Sequence, residues 1–382
     1  MNGRRKWRSK GTMRVGIVNL HNMCENNTFF LSKVRRYFQL NGHTVTDAGT
    51  EVDLVFIGGC AVTDVMRGRC EKTILRIMQQ LGQASFVIFG CLAAFPEELR
   101  SLLGREGDRF HIIPYQASHR LDELIQARVP YGTVSVNQLQ GHVPYQPCMG
   151  PDDSYVLIAQ GCVNACSYCN IKKVKGNVLS RPEKEVEAEV KALYQGGVRS
   201  VTLLADDCGS YGLDQGSDLP TLLARLCRAA PDMRFRLYTI FPILFLRYAE
   251  RLEPLFVEHR VPYVCLPVQS AARRVLSLMN RPYDPDRLAE AIERLRALDP
   301  DLFVYSHFIF NFPTETWEEF EESVAFSRHF DHCVFIGYGE NSGTRAASLF
   351  PKCDNETLQA KAQRLDELVK RGELAAFVVP RP

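Results

Sequence analysis

The sequence predicts an α/β chain in two parts, an N-terminal doubly wound parallel-sheet domain followed by a partial (β/α)6 barrel. Three observations lead there. Short, nearly continuous apolar runs alternate with stretches of helical periodicity, the pattern of parallel strands covered on both faces. Residues 129–153, rich in proline and glycine, then interrupt the rhythm. Beyond them it resumes with six longer strand–helix units, as in a barrel whose chemistry sits at the carboxyl ends of its strands. The expected division is a basic arm at 1–13, a first domain at 14–128, a linker at 129–153 and the barrel at 154–382.

Residues 14–20 (RVGIVNL) read as the first strand, and Thr28 is placed to cap a helix ending near Asn41 and Gly42. Residues 53–58 form a second apolar strand. Asp64 opens a helix with Ile74, Leu75 and Met78 facing inward, and residues 85–90 (SFVIFG) are the next strand. The linker holds Pro130, Gly132, Gly141, Pro144, Pro147, Gly150 and Pro151. Candidate barrel strands are 155–159, 200–204, 234–238, 263–268, 302–310 and 333–338. Helices lie between them, such as 183–195, where Val186, Val190 and Leu193 share one face. A last helix spans 355–372.

Composition bounds the class. The chain has 382 residues, 46% hydrophobic and 24% charged, as an ordinary globular protein does. No apolar run reaches the roughly 18–20 residues of a membrane helix. The N-terminus is polar and basic, without the apolar core of a secretory signal. Thirteen cysteines, an odd and partly clustered set, point to a reducing, cytoplasmic setting and to iron or zinc chemistry. A net charge of +2 gives no global nucleic-acid footprint. The arm bearing Arg4, Arg5, Lys6, Arg8, Lys10 and Arg14 offers charges for phosphate contacts, but reads rather as a solvated tail, or as residues before an alternative start at Met13.

Two sets of cysteines carry the chemistry. Cys162, Cys166 and Cys169 form C-x3-C-x2-C on the loop after the first barrel strand. A structural zinc site needs four ligands, usually as two C-x2-C pairs. Three thiolates on a four-iron cluster instead leave one iron open, which suits catalysis. In the first domain Cys24, Cys60 and Cys91 each follow a predicted strand. Parallel strand ends share one edge, so these distant residues converge at a crevice. Gly58, Gly59 and Gly90 would let the backbone approach a bulky inorganic ligand. Any one of the three reads as a buried small hydrophobe; together, at equivalent strand ends, they read as a second cluster site.

The loop Gln160-Gly-Cys-Val-Asn-Ala-Cys-Ser-Tyr-Cys-Asn170 resembles the signature of radical S-adenosylmethionine (SAM) enzymes. With Cys24, Cys60 and Cys91 ahead of it, the chain resembles the methylthiotransferases, which modify tRNA bases or a ribosomal-protein aspartate. Ser180-Arg-Pro182, the stretch Leu203–Gly212 with Asp206 and Asp207, and Leu266-Pro-Val-Gln-Ser270 continuing through Arg274–Met279 extend the likeness. It runs from about residue 13 to 372.

That likeness implies two [4Fe-4S] clusters, held by Cys162, Cys166 and Cys169 and by Cys24, Cys60 and Cys91. It implies SAM both as radical source and as methyl donor, and conversion of an unactivated C–H bond to C–S–CH3. An electron donor such as flavodoxin or ferredoxin is implied as well. Tyr168 would flank the adenine and Gln269 would hydrogen-bond SAM or substrate; packing and strand-end satisfaction are their bland alternatives. Asp207 and His307 are the candidate catalytic residues, against a turn cap and a hydrogen-bonded strand histidine. Asp206 is read with Asp207, and Cys208 as an inert thiol. Cys70, Cys148, Cys227, Cys265, Cys333 and Cys353 read as structural.

Departures bear on the substrate. The family's Gly-Phe-Pro-Gly-Glu-Thr turn is here Asn311-Phe-Pro-Thr-Glu-Thr316, and the prolines flanking its final Gly-Thr are Ser342 and Arg345. The C-terminal TRAM barrel of the tRNA- and ribosome-modifying members has no counterpart in this sequence. With the near-neutral charge, this favours a peptide or protein substrate, such as a ribosomally made natural-product precursor, over tRNA. A tRNA methylthiotransferase without its barrel, a sulfur-inserting or thioether-forming enzyme on the same scaffold, and a zinc-binding interaction protein remain the alternatives. No membrane partner is expected.

Overall fold

The computed structural model describes residues 11–47, 51–104, 109–143, 146–147, 149–150 and 153–380. Five of the six basic residues of the arm, and Cys148, lie outside them. The chain divides into two compact units, Met1–Asp152 with Lys173–Lys175, and Asp153–Lys172 with Gly176–Pro382.

The first unit runs β1 (Arg14–Asn19), α1 (Glu25–Leu40), β2 (Thr44–Asp47), β3 (Leu54–Gly58), α2 (Asp64–Gln80), β4 (Ser85–Phe89), α3 (Pro96–Leu103), β5 (Phe110–Ile113) and α4 (Arg120–Ile125). Its five strands are parallel in the order β2-β1-β3-β4-β5, the doubly wound arrangement. β3 is buried along its whole length, which is why it reads as an unbroken apolar run. β2 and β5 escape the sequence reading for opposite reasons. β2 (TVTD) is a polar edge strand with no buried position, and β5 (FHII) is four residues long. Residues expected to form a linker pack into this unit. Tyr131, Val134 and Leu139 are buried, and Asn41 Nδ2 donates to the Val129 carbonyl at 3.0 Å.

The second unit begins with β6 (Ser154–Leu157), β7 (Ala159–Gln160), β8 (Leu179–Ser180) and α6 (Glu183–Gln195); α5 (Ile171–Lys175), between β7 and β8 in the chain, has its last three residues in the first unit. The second unit continues through β9 (Ser200–Leu204), α7 (Leu219–Ala229), β10 (Arg234–Leu237), α8 (Pro242–Val257), β11 (Tyr263–Cys265), α9 (Arg273–Leu278) and α10 (Pro285–Leu298). It ends with β12 (Phe303–Phe310), α11 (Trp317–Phe326), β13 (His332–Gly337), α12 (Asn355–Lys370) and β14 (Ala376–Val379). Seven parallel strands lie in the order β14-β13-β12-β11-β10-β9-β6. Spatial order therefore follows chain order, as in an open barrel, with β14 added as a seventh strand to the six expected. Val186 and Val190 of α6 are fully buried, as the periodicity predicts. No helix among the described residues is long and apolar enough to cross a membrane.

Candidate functional site

In the first unit the strand order reverses between β1 and β3, and a crevice forms beyond the carboxyl ends of strands at such a point. Cys24 follows β1, Cys60 follows β3 and Cys91 follows β4. The three thiols come within electrostatic reach of one another: Cys91 acts on both Cys24 and Cys60, and Cys24 on Cys60. Cys24 has extended backbone (φ −90°, ψ 113°) and is itself the cap of α1, its Sγ accepting from Asn27 N at 3.5 Å. That N–H bond favours the thiolate, but burial outweighs it. Thr28 therefore does not cap the helix. It lies a turn inside, buried, accepting from Asn19 Nδ2 at 2.9 Å and donating to the Asn22 carbonyl.

The glycines near these cysteines have a different role from the one expected. A Cβ on Gly58 would meet Leu31, on Gly59 Leu92 and on Gly90 the Tyr115 ring, all within 3.0 Å. They make room for protein side chains. Two neighbours of the trio were not foreseen as such, although Cys70 was read as structural. Cys70 is buried and accepts from the Cys60 backbone. His142 and Glu25 form a buried pair at 3.6 Å, one residue from Cys24. Neither sits in a motif, so only the fold reveals them.

In the second unit the Cys162–Cys169 loop is pinned from several sides. At its base β7 pairs with β8, Ala159 opposite Ser180. Arg181 N donates to the Ile158 carbonyl at 2.8 Å, and its guanidinium reaches the Leu157 carbonyl and Glu189. Ser180 Oγ accepts from Gly212 N at 2.8 Å. The Ser-Arg-Pro motif is thus a brace. Gly161 has φ +77°, and a Cβ there would lie 2.3 Å from the Asn177 carbonyl oxygen. The end of α9 holds the far side: Ser167 N donates to the Met279 carbonyl at 2.9 Å and Asn280 Nδ2 to the Ala165 carbonyl at 2.8 Å.

Each thiol of the loop receives a donor. Cys162 Sγ accepts from Asn164 N at 3.4 Å and Asn164 Nδ2 at 3.2 Å, and Cys169 Sγ from Ile171 N at 3.4 Å. Cys166 Sγ accepts from Arg281 Nη1 at 3.3 Å. Burial, with the neighbouring acids and thiols, pushes Cys162 up to about 11 and Cys169 up to about 12. In the first unit burial likewise pushes Cys24 up to about 12 and Cys60 well above its usual range. Loading a cationic cluster must therefore displace protons from these groups.

Asp207, a candidate catalytic residue, is buried and accepts from Ser210 Oγ (2.5 Å), Asn164 Nδ2 (2.9 Å), Gly209 N (3.0 Å) and Phe241 N (3.0 Å). It caps the short turn Cys208–Ser210 and steadies Asn164, which holds Cys162. Asp206 accepts from Gly161 N at 2.8 Å. Cys208 is buried and donates to the Leu203 carbonyl, and burial pushes it up to about 12, as an inert thiol requires. His307 lies on β12 with Nε2 3.8 Å from Cys265 Sγ. Burial, and then the Arg281 charge, lower it to about 4, so its ring is neutral at neutral pH. Gln269 stands at φ +74°, bridged to β12 through the His307 carbonyl and Ile309 N, both at 2.8 Å. A non-glycine residue held there is strained, a condition common at ligand sites. Tyr168 packs edge-on to Phe312 at 6.4 Å, against Ala272, Val275, Met279 and Ala346.

Among the described residues no three His, Cys, Asp or Glu side chains stand ready to grip a single metal ion. A four-iron cube binds each thiolate on a different iron and so spaces them farther apart than one tetrahedral ion does. The donor chemistry fits: all-thiol trios, three ligands each, with hydrogen-bond donors on every sulfur of the second.

The chain matches the radical SAM superfamily over residues 156–327. The ribosomal protein uS12 methylthiotransferase RimO of Colwellia psychrerythraea is 28% identical over 372 residues, covering 93% of this chain and 79% of its own. The protein of the same name from Nitrosomonas europaea is 27% identical over 377 residues, covering 92% and 79%. Among solved structures, the radical SAM methyltransferase TsrM from Kitasatospora setae has a TM-score of 0.59 at 16% identity, over 88% of this chain and 77% of that one. The cobalamin-dependent SAM radical enzyme OxsB has a TM-score of 0.55 at 11% identity, over 95% of this chain and 61% of that one. At these identities both structural likenesses concern the fold alone.

Proposed function

We propose that this chain is a radical SAM methylthiotransferase that converts an unactivated C–H bond of a peptide or protein to C–S–CH3. The observation that carries the reading is the presence of two cysteine trios, one in each compact unit: Cys24, Cys60 and Cys91 after parallel strands of the first, and Cys162, Cys166 and Cys169 on the loop after β6 and β7 of the second. The relatives named above support the substrate class, since they are named for a ribosomal protein. The net charge of +2 supports it too, because RNA affinity rests on phosphate contacts.

Cys162, Cys166 and Cys169 would hold one [4Fe-4S] cluster and Cys24, Cys60 and Cys91 a second. With SAM and an electron from a flavodoxin- or ferredoxin-like donor, such clusters supply the carbon radical and the sulfur that the reaction needs. The chain's own residues position and insulate. Asn164, steadied by Asp207, holds the Cys162 sulfur; Gly161, Asp206 and Arg181 fix the loop's base; Gln269 and Tyr168 flank the place where SAM would bind. His307, neutral at working pH, offers an uncharged polar edge inside the barrel and no acid.

The test uses anaerobically reconstituted protein, SAM labelled in its methyl group, and two substrate pools: synthetic peptides with ribosomal-protein and precursor-peptide sequences, and bulk tRNA. Mass spectrometry is expected to find the labelled methylthio group on peptide. Product on tRNA alone refutes the substrate class. Sulfur incorporated without the labelled methyl refutes methylthiolation.

A further inference from the structure

Arg281, two residues beyond the stretch Arg274–Met279, is only 4% exposed. Its Nη1 donates to Cys166 Sγ at 3.3 Å, its Nη2 donates to the Pro267 carbonyl, and its face lies 4.3 Å from the Phe241 ring centroid. Nε is buried with no partner. Among the described residues no Asp or Glu forms an ion pair with it. A guanidinium buried without a carboxylate is costly unless another anion compensates it. The sulfur it touches is Cys166 of the Cys162–Cys169 loop, whose thiolates can supply that anion. The donors on the other two sulfurs, Asn164 and the Ile171 N–H, are neutral.

We infer that Arg281 is a positioning residue for the cluster on that loop, holding Cys166 in place and, through its fixed positive charge, raising the cluster's reduction potential. This rests on the reading that the loop binds a [4Fe-4S] cluster. A cluster held by three thiolates gains negative charge on reduction, so a cation bonded to one of its sulfurs favours the reduced form. Lysine keeps the charge but lacks the planar fork that bonds Cys166 and Pro267 together. Arg281 thereby makes the electron easier to deliver to the loop that must cleave SAM.

The experiment compares wild type, Arg281→Lys, Arg281→Gln and Asn164→Ala after anaerobic reconstitution. Iron per chain is measured, together with a redox titration followed by the paramagnetic signal of the reduced cluster that SAM perturbs. The Gln variant is expected to keep its iron and shift to a more negative midpoint, leaving on the order of tenfold less reduced cluster at a fixed potential. The Lys variant should fall between it and wild type, and Asn164→Ala should shift less than Gln. An unchanged midpoint in the Gln variant overturns the proposal, as does an equal shift in Asn164→Ala. If the Gln variant loses its iron, the Lys variant decides: a lowered midpoint supports the proposal, and a wild-type midpoint overturns it. A wild type with no SAM-sensitive signal instead refutes the cluster assignment beneath it.

Discussion

His307 shows how a single buried group sets a pH dependence. Its imidazole is lowered to about 4, first by burial and then by the Arg281 charge. In the unfolded chain the same ring has the ordinary value of about 6.5. Above that pH both states hold it neutral and the native state keeps its full stability. As pH falls from about 6.5 toward 4, the unfolded chain takes up a proton that the folded one refuses. Stability then drops with a slope of up to about 1.4 kcal/mol per pH unit for this one group. His307→Asn should flatten the dependence in that window, measured by denaturant titrations between pH 4 and 7. A slope identical to wild type would place the titrating group elsewhere.

At the scale of elements, the turn between β12 and α11 stores the clearest local conflict. Asn311 and Thr314 occupy the places where the family resemblance puts glycines, and both keep the left-handed backbone that glycine favours, at φ +62° and +70°. The turn is clamped regardless. Glu315 accepts from Asn311 N at 2.7 Å and pairs with Lys361 of α12 at 2.7 Å, both side chains fully buried. Arg274 bonds the Thr314 hydroxyl and carbonyl and forks onto Glu319. A β-branched residue in this conformation costs about 1–2 kcal/mol, against the 0.4–1 kcal/mol that glycine's freedom adds to the unfolded state. Thr314→Gly is therefore expected to stabilise the protein by roughly 0.5–1 kcal/mol, read as a shift of the denaturation midpoint. A destabilisation would show that the Arg274 bond outweighs the strain. The Asn-Phe-Pro-Thr motif marked this departure in the sequence, but the backbone that survives it, and the Lys361–Glu315 anchor, appear only in the fold.

Across the whole chain, legibility followed proximity in sequence. The Cys162–Cys169 loop, α6 and the apolar strands β3 and β4 could be read because their signals lie within a few residues. Arg281 could not, since its partner Cys166 lies 115 positions away. Nor could β2, whose polar edge carries no apolar signature, or the cap at Cys24, where Thr28 offered the stronger local pattern. The two cysteine trios sit in separate compact units with their own sheets, so removing one trio should leave the other unit folded and able to load iron. Two [4Fe-4S] clusters hold about eight irons per chain. Replacing Cys24, Cys60 and Cys91 with alanine should halve that and abolish methylthio product, while SAM is still cleaved to 5′-deoxyadenosine. Replacing Cys162, Cys166 and Cys169 should also halve the iron but stop the cleavage altogether. Iron analysis and chromatography of the nucleoside product distinguish the two variants. If the first also stops cleaving SAM while retaining its iron, the division of labour between the trios is wrong.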